Sequence, residues 1–321
     1  MFFLYYRFFY LFSIFCKENA VILILCRNKE KDQMSATIKN FEERFNKKYR
    51  YPYVFLNDEE FTDEFKRSLN EATNNNAQYG LVEPENWKMP ENINKEKAKE
   101  NWKKMAQAGI PYAEVESYHN MCRFFSKTFY KHPLVKDFEY YWRIEPGVIY
   151  HCDIDGDPFY QLKSLNKKYG FVITIREFMQ SIETLMVETA KFLALNRDRL
   201  PIKNNLRFMF DNGKYNGCHF WSNFEIGSFE FFRSQLYNDY VDFLDSSGGF
   251  YYERWGDAPI HSIAVALFLD KSEVHFFDEI GYTHDAITHC PVKGKNCNCE
   301  TKFSIDFQPY SCLNLYLNDI N

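Results

Sequence analysis

The stretch from residue 20 to residue 57 restricts the fold more than any other part of this chain. Residues 20–25 (AVILIL) form a compact apolar run of strand length, rich in branched side chains, and Cys26-Arg27-Asn28 closes it. Residues 31–49 carry Ile38, Phe41 and Phe45 at helical spacing, and Tyr53-Val54-Phe55-Leu56 reads as a second strand stopped by Asn57-Asp58. Strand, helix and strand in such quick succession make a βαβ unit, which implies a parallel sheet. No G-x-G-x-x-G follows the first strand, so the dinucleotide fingerprint is absent.

The rest of the chain continues the mixture. Residues 59–110 are polar and read as helical with a break at Asn74 to Asn76, and residues 112–129 read as a further helix. Residues 138–144 (FEYYWRI), 148–152, 170–175 (GFVITI), 250–255 and 274–277 read as extended. Residues 181–195, 239–244 and 259–269 read as helices, the last begun by Pro259, a favoured place for proline. Neither internal repeats nor an interdomain linker interrupts the pattern. One α/β domain with a long irregular C-terminal segment accounts for it.

With 321 residues, 45% of them hydrophobic, the chain can bury a sizeable core. The 33 Phe and 23 Tyr are mostly core, with some rings left as surface platforms on which sugar faces stack. A net charge of −5 without a basic stripe argues against a nucleic-acid partner. It does not exclude a nucleotide-linked donor, which needs only a few local cations and a metal. The opening MFFLYYRFFYLFSIFC holds a single charge, Arg7, but is short of the ~20 apolar residues of a secure spanning helix. We read residues 1–19 as a short signal-anchor; a cleaved signal and a buried strand are the alternatives, and no A-x-A-like cleavage site is evident. Of nine cysteines, Cys290, Cys297, Cys299 and Cys312 cluster near the C-terminus. Behind an apolar N-terminus they read as disulfide-bonded; in a cytosolic chain, C-x-C beside His289 would suggest zinc.

Polar groups that interrupt apolar runs must find partners or a ligand, and they concentrate in a few motifs. In Arg143-Ile144-Glu145-Pro146-Gly147 a strand ends in a carboxylate at a proline turn. Open α/β sheets bind ligands at such ends, where Glu145 can hold a divalent cation on a diphosphate and Arg143 can pair with a phosphate oxygen. A turn with a surface carboxylate and a sheet salt bridge is the plainer alternative. Asp153-Ile154-Asp155 has the D-x-D spacing of nucleotide-sugar transferases, competing with Glu145 for the metal, although acidic turns are common. Glu225, framed by Phe224 and Ile226, is either paired or functional. Asp257 precedes a proline-started helix and is an N-cap or an acceptor of sugar hydroxyls. Trp255 stacks on a sugar or on the core, His261 lies on a helix face, and His284 is a loop imidazole suited to manganese. No serine elbow, P-loop or H-E-x-x-H is present.

At these residues the chain resembles the fungal α-1,2-mannosyltransferases of glycosyltransferase family 15. The strings that carry the resemblance are RFNKKYRYPYVFLNDEEFTDEFK, ESYHNMCRF, YYWRIEPGV, CDIDGDPF, CHFWSNFEI, GGFYYERWGDAPIHSIA and HFFDEIGYTH. The resemblance implies a GT-A nucleotide-sugar transferase fold over residues 20–321, with a mixed, mostly parallel sheet flanked by helices. It implies retaining transfer of mannose from GDP-mannose, with Mn²⁺, to the 2-hydroxyl of a mannose on an O-linked or N-linked glycoprotein glycan. It also implies a type II Golgi or other secretory-pathway membrane protein with a luminal catalytic domain. Residue by residue it makes Glu145 and His284 the metal ligands and Glu225 the nucleophile. Tyr118, Arg143, Asp257 and Arg27 fall on the donor and sugar. The D-x-D then does not hold the metal. Two alternatives remain: a luminal mannose-binding protein without catalysis, and a transferase using another nucleotide sugar.

Overall fold

The computed structural model describes residues 17–201 and 203–320, so nearly all of the expected signal-anchor lies outside the described residues. Its centre is a seven-stranded sheet in the order Val274–Phe276, Tyr169–Phe171, Glu225–Ser228, Tyr140–Arg143, Ala20–Leu25, Tyr53–Asn57, Ala77–Leu81. Every neighbouring pair is parallel except the two made by Glu225–Ser228, which runs against both partners. The βαβ unit is present as read: helix Lys31–Phe41 continues through a π-turn at Glu42–Asn46 into Lys47–Tyr49 and joins two adjacent parallel strands.

The sheet is buried on both faces, which is why AVILIL and YVFL are apolar throughout instead of alternating. One face packs Val21, Leu23 and Tyr141 against helices Glu116–Lys127, Gln235–Ser247 and Asp257–Phe268. The other packs Ile22, Trp142 and Ile226 against the N-terminal helix, through Phe41 and Phe45. Most of the aromatic excess is thus core, and Trp255 belongs to it with no exposed surface.

Three parts of the sequence reading need correction. Residues 77–81 form the outer parallel strand of the sheet, not helix; as an edge strand it is only partly buried and shows no apolar run. The expected strand at 170–175 is two: Tyr169–Phe171 stays in the main sheet, whereas Thr174–Arg176 leaves it to pair antiparallel with Cys218–Phe220. Residues 250–255 are not extended, since Gly249–Tyr252 forms a helical turn. Gly248, at φ 77°, caps the preceding helix, and the Trp255 ring lies where a side chain on Gly249 would have to be.

The C-terminal segment is irregular but pinned. Cys152–Cys297, Cys218–Cys312 and Cys290–Cys299 are disulfides, so all four clustered cysteines pair as expected of an oxidising compartment. A small antiparallel sheet of Ile287–His289, Tyr282–His284 and Ile149–Tyr150 carries His284 back to the end of the Tyr140–Arg143 strand. No helix among the described residues is long and apolar enough to cross a membrane.

Candidate active site

The carboxyl ends of the parallel strands bring Cys26, Arg27, Asn57, Asp58 and Glu145 to the rim of one cleft. Its first compartment, about 340 Å³, lies over the ends of Ala20–Leu25 and Tyr53–Asn57 and has Trp87, Val115 and Phe125 in its walls. The second, about 460 Å³, shares Arg27, Tyr118 and Glu145 with the first and extends past Arg143 to Trp221, Asp257 and His284. Six of the seven residues singled out in the sequence therefore line one continuous cleft.

Arg143 organises its floor. The guanidinium is 2% exposed and lies over the Phe125 ring, 3.5 Å from its centroid. Nη1 donates to Asp257 at 2.5 Å, and Nη2 donates to Glu145. Asp257 also accepts from Ser222 Oγ at 2.7 Å. Asp257 is the first residue of its helix, with Gly256 in the cap position, so its carboxylate serves Arg143 and Ser222 and is no N-cap. A buried ion pair of this kind holds only with additional hydrogen bonds, and Ser222 supplies one.

The E-P-G turn and the small sheet make a two-ligand pair. Gly147 adopts φ 87°, where a side chain would be strained and would collide with Gln33. The turn aims Glu145 so that Oε2 is 3.4 Å from His284 Nε2. Burial pushes the Glu145 pKa up, but Arg143 and then His284 outweigh it and hold it at about 2. Trp221 sets its ring edge-on to the imidazole, 5.2 Å between centroids. One carboxylate and one imidazole this close together could share a divalent cation, provided further ligands came from outside the protein. Among the described residues no group of three or more His, Cys, Asp or Glu could hold a metal alone. The D-x-D lies elsewhere: Asp153 is held by Arg44 and Asn296, each at 2.7 Å, and Asp155 by Lys295 at 2.5 Å.

Tyr118 and Arg27 occupy the junction of the two compartments. The Tyr118 hydroxyl accepts from Arg254 Nη1 at 3.1 Å, and its ring stacks on Tyr112 at 4.8 Å. Arg27 is anchored by Glu30 at 2.5 Å, with about half of its side chain exposed.

Glu225 is placed differently. It sits opposite Arg143 across the antiparallel pair, on the same face of the sheet, but below the cleft floor and 0% exposed. Its carboxylate accepts from Tyr141, from Tyr169 at 2.8 Å and from His261 Nδ1 at 2.8 Å. His261, read as a helix-face residue, is fully buried, and its other nitrogen bonds the Phe125 carbonyl at 2.9 Å. Burial lowers the His261 pKa, but Glu225 more than offsets it and the net shift is upward.

Among the cleft residues that sequence reasoning passed over are Tyr112, Glu177, His219 and Trp221. Tyr112 is 57% exposed and has φ 60°, outside the ordinary range for a tyrosine. Glu177 accepts from the buried Arg254 at 3.0 Å. His219 and Trp221 stood in the conspicuous string CHFWSNFEI, where a histidine and a tryptophan beside an exposed-type turn were the available signal.

Comparison with known proteins agrees with this geometry. A family model described as glycolipid 2-alpha-mannosyltransferase matches residues 13–321. The chain is 48% identical over 305 residues to O-glycoside alpha-1,2-mannosyltransferase omh1 of Schizosaccharomyces pombe, covering 94% of this chain and 78% of the relative. Its structure resembles that of the mannosyltransferase Ktr4p from S. cerevisiae in complex with GDP (TM-score 0.91, 41% identity, 94% and 82% of the two chains). It is equally close to the Mn/GDP form of core-mannan synthase A from Aspergillus fumigatus (TM-score 0.91, 40% identity, 95% and 86%). The fold is that of the GT-A glycosyltransferases, and the chain belongs to glycosyltransferase family 15, the fungal α-1,2-mannosyltransferases.

Proposed function

We propose that this enzyme transfers mannose from GDP-mannose, with retention, to the 2-hydroxyl of a mannose on a protein-linked glycan. The observation that carries the reading is the convergence of Arg143, Glu145, His284 and Asp257 between the two compartments of the cleft. GDP in one related structure and Mn/GDP in another support a GDP-linked donor with manganese. The first compartment takes the nucleoside, the Glu145–His284 pair meets the diphosphate, and the second compartment takes the transferred sugar and the acceptor. The O-glycoside specificity in the name of the S. pombe relative favours O-linked glycans. Residues 20–321 form the catalytic domain, and residues 1–19 anchor it in a Golgi or other secretory membrane, with the disulfides on the luminal side.

Glu145 and His284 would hold Mn²⁺, which when bound would supply charge neutralisation to the departing diphosphate. Arg143 contributes fixed positive charge beneath the same oxygens, at no reorganisation cost because Glu145 and Asp257 already orient it. Arg27 closes on the diphosphate from the exposed side. Tyr118 receives a hydrogen bond from Arg254, which leaves its own proton to donate to a phosphate or sugar oxygen. Complete burial of Glu225 favours attack from the face the diphosphate leaves, with Glu225 stabilising the cationic anomeric carbon as a fixed anion rather than bonding to it.

A donor panel assayed with and without Mn²⁺ tests the reading. We expect α-1,2 transfer from GDP-mannose only when the metal is present. Transfer from a different nucleotide sugar would replace the donor. GDP-mannose binding without turnover would leave a mannose-binding protein.

A further inference from the structure

We infer that His219 receives the proton of the acceptor hydroxyl during transfer, an inference that rests on the mannosyl-transfer reading. The group that takes this proton must lie inside the second compartment and must not already be neutralised by a neighbouring cation. The carboxylates there fail one condition or the other. Asp257 and Glu145 are paired with Arg143, and Glu177 is paired with Arg254. Glu225 is sealed below the floor, and Asp285 stands 75% exposed at the mouth beside His284.

His219 meets both. It lines the second compartment, 3% exposed, from the strand Cys218–Phe220. That strand is fixed on every side: its backbone pairs with Thr174–Arg176, Thr174 Oγ1 donates to the His219 carbonyl at 2.8 Å, Ser262 Oγ accepts from the Phe220 amide at 2.7 Å, and Cys218 is disulfide-bonded to Cys312. The ring nitrogen Nδ1 lies 3.2 Å from the Gly217 carbonyl oxygen. A carbonyl only accepts, so Nδ1 carries the hydrogen and Nε2 presents a lone pair. Nε2 makes no hydrogen bond to any described residue. Desolvation lowers the pKa of His219, keeping it neutral before reaction, while Glu177 and Asp257 act in the opposite sense and stabilise the imidazolium once formed. Arg254 opposes them.

In the transfer step the acceptor oxygen bonds to the anomeric carbon, and the bond from that carbon to the diphosphate breaks with its electron pair leaving on GDP. The hydroxyl proton passes to Nε2, and the imidazolium returns it to water through the open end of the cleft.

The test compares the full-length wild type with His219→Gln and His219→Asn at saturating Mn²⁺. We expect kcat to fall about a hundredfold or more in both, the usual range for a lost general base. Affinity for GDP with Mn²⁺ and the melting temperature should stay near wild type, and added imidazole should restore part of the turnover. The wild-type kcat/KM should decline as pH falls through an apparent pKa below that of ordinary histidine, and this acid limb should disappear in the variants. Near-normal turnover in either variant, or a wild-type profile without an acid limb, overturns the proposal. A wild type that binds GDP but transfers nothing overturns the reading beneath it, and the proposal with it.

Discussion

Glu145 and Asp155 are each an acidic residue in a turn within the same fifteen-residue stretch, yet their replacement should differ by orders of magnitude. Asp155 is about two-thirds exposed and its partner Lys295 about as much, so the pair contributes no more than ~1 kcal/mol to stability. It touches no cleft residue. Asp155→Ala should therefore leave turnover within about twofold of wild type. Glu145 is one of two candidate metal ligands and also the acceptor for Arg143 Nη2. Glu145→Ala removes half of the protein's hold on the cation and leaves a buried guanidinium facing the diphosphate with one counter-charge fewer. A loss of at least about a thousandfold, ~4 kcal/mol of barrier, is expected. Stability should fall by only ~1–3 kcal/mol, the cost of one unmade buried hydrogen bond, because Asp257 still holds Arg143. The assay is transfer to a mannoside acceptor across a Mn²⁺ titration, with melting temperatures alongside. Equal and complete loss in the two variants would show that the D-x-D turn holds the metal and that the Glu145–His284 pair does not.

Two further outcomes follow from buried charges. Glu225→Gln keeps shape but turns one acceptor oxygen into a donor facing Tyr141, Tyr169 and His261; turnover should drop at least about a hundredfold, ~2.7 kcal/mol, with GDP-mannose affinity within about tenfold, and wild type quenched during turnover should show no mannosyl adduct by intact mass. A trapped adduct on Glu225 would establish it as the nucleophile. Asp245 lies between Arg123 at 2.7 Å and Lys127 at 2.6 Å; burial raises its pKa, but these cations outweigh it and the folded value is depressed. Its contribution is complete above the unfolded value near 4 and is lost as pH falls through the folded value. Asp245→Asn should therefore cost ~3 kcal/mol at pH 7 and progressively less below about pH 4, measured by denaturant unfolding; a penalty independent of pH would contradict the assignment.

What could be read from the sequence followed from how local each cause was. The first βαβ unit was legible because a strand buried on both faces must be apolar at every position, and AVILIL is. The strand at Ala77–Leu81 was not, since an edge strand with one partner can carry Gln78 and Gly80. Glu225–Ser228 was not legible as a strand either. A carboxylate opening a central strand contradicts propensity, and only Tyr141, Tyr169 and His261, from other elements, make it tolerable. The resemblance brought Tyr118, Arg143, Glu145, Asp257 and His284 together, but not which carboxylate lies open and which is sealed. Nor could it single out His219, whose chemistry depends on which ring nitrogen is spent on the Gly217 carbonyl.

The balance of charge at the cleft floor links metal and donor. Arg143 holds both cleft carboxylates, with Glu145 and Asp257 on its two terminal nitrogens. One guanidinium does not neutralise two carboxylates, so negative charge is left beside the place an anionic diphosphate would take. In a partly buried cleft such repulsion is only weakly screened. A divalent cation held by Glu145 and His284, as proposed, would remove the excess and let the surface receive the diphosphate. Metal and nucleotide should therefore bind as a coupled pair, each raising the affinity for the other by the same factor.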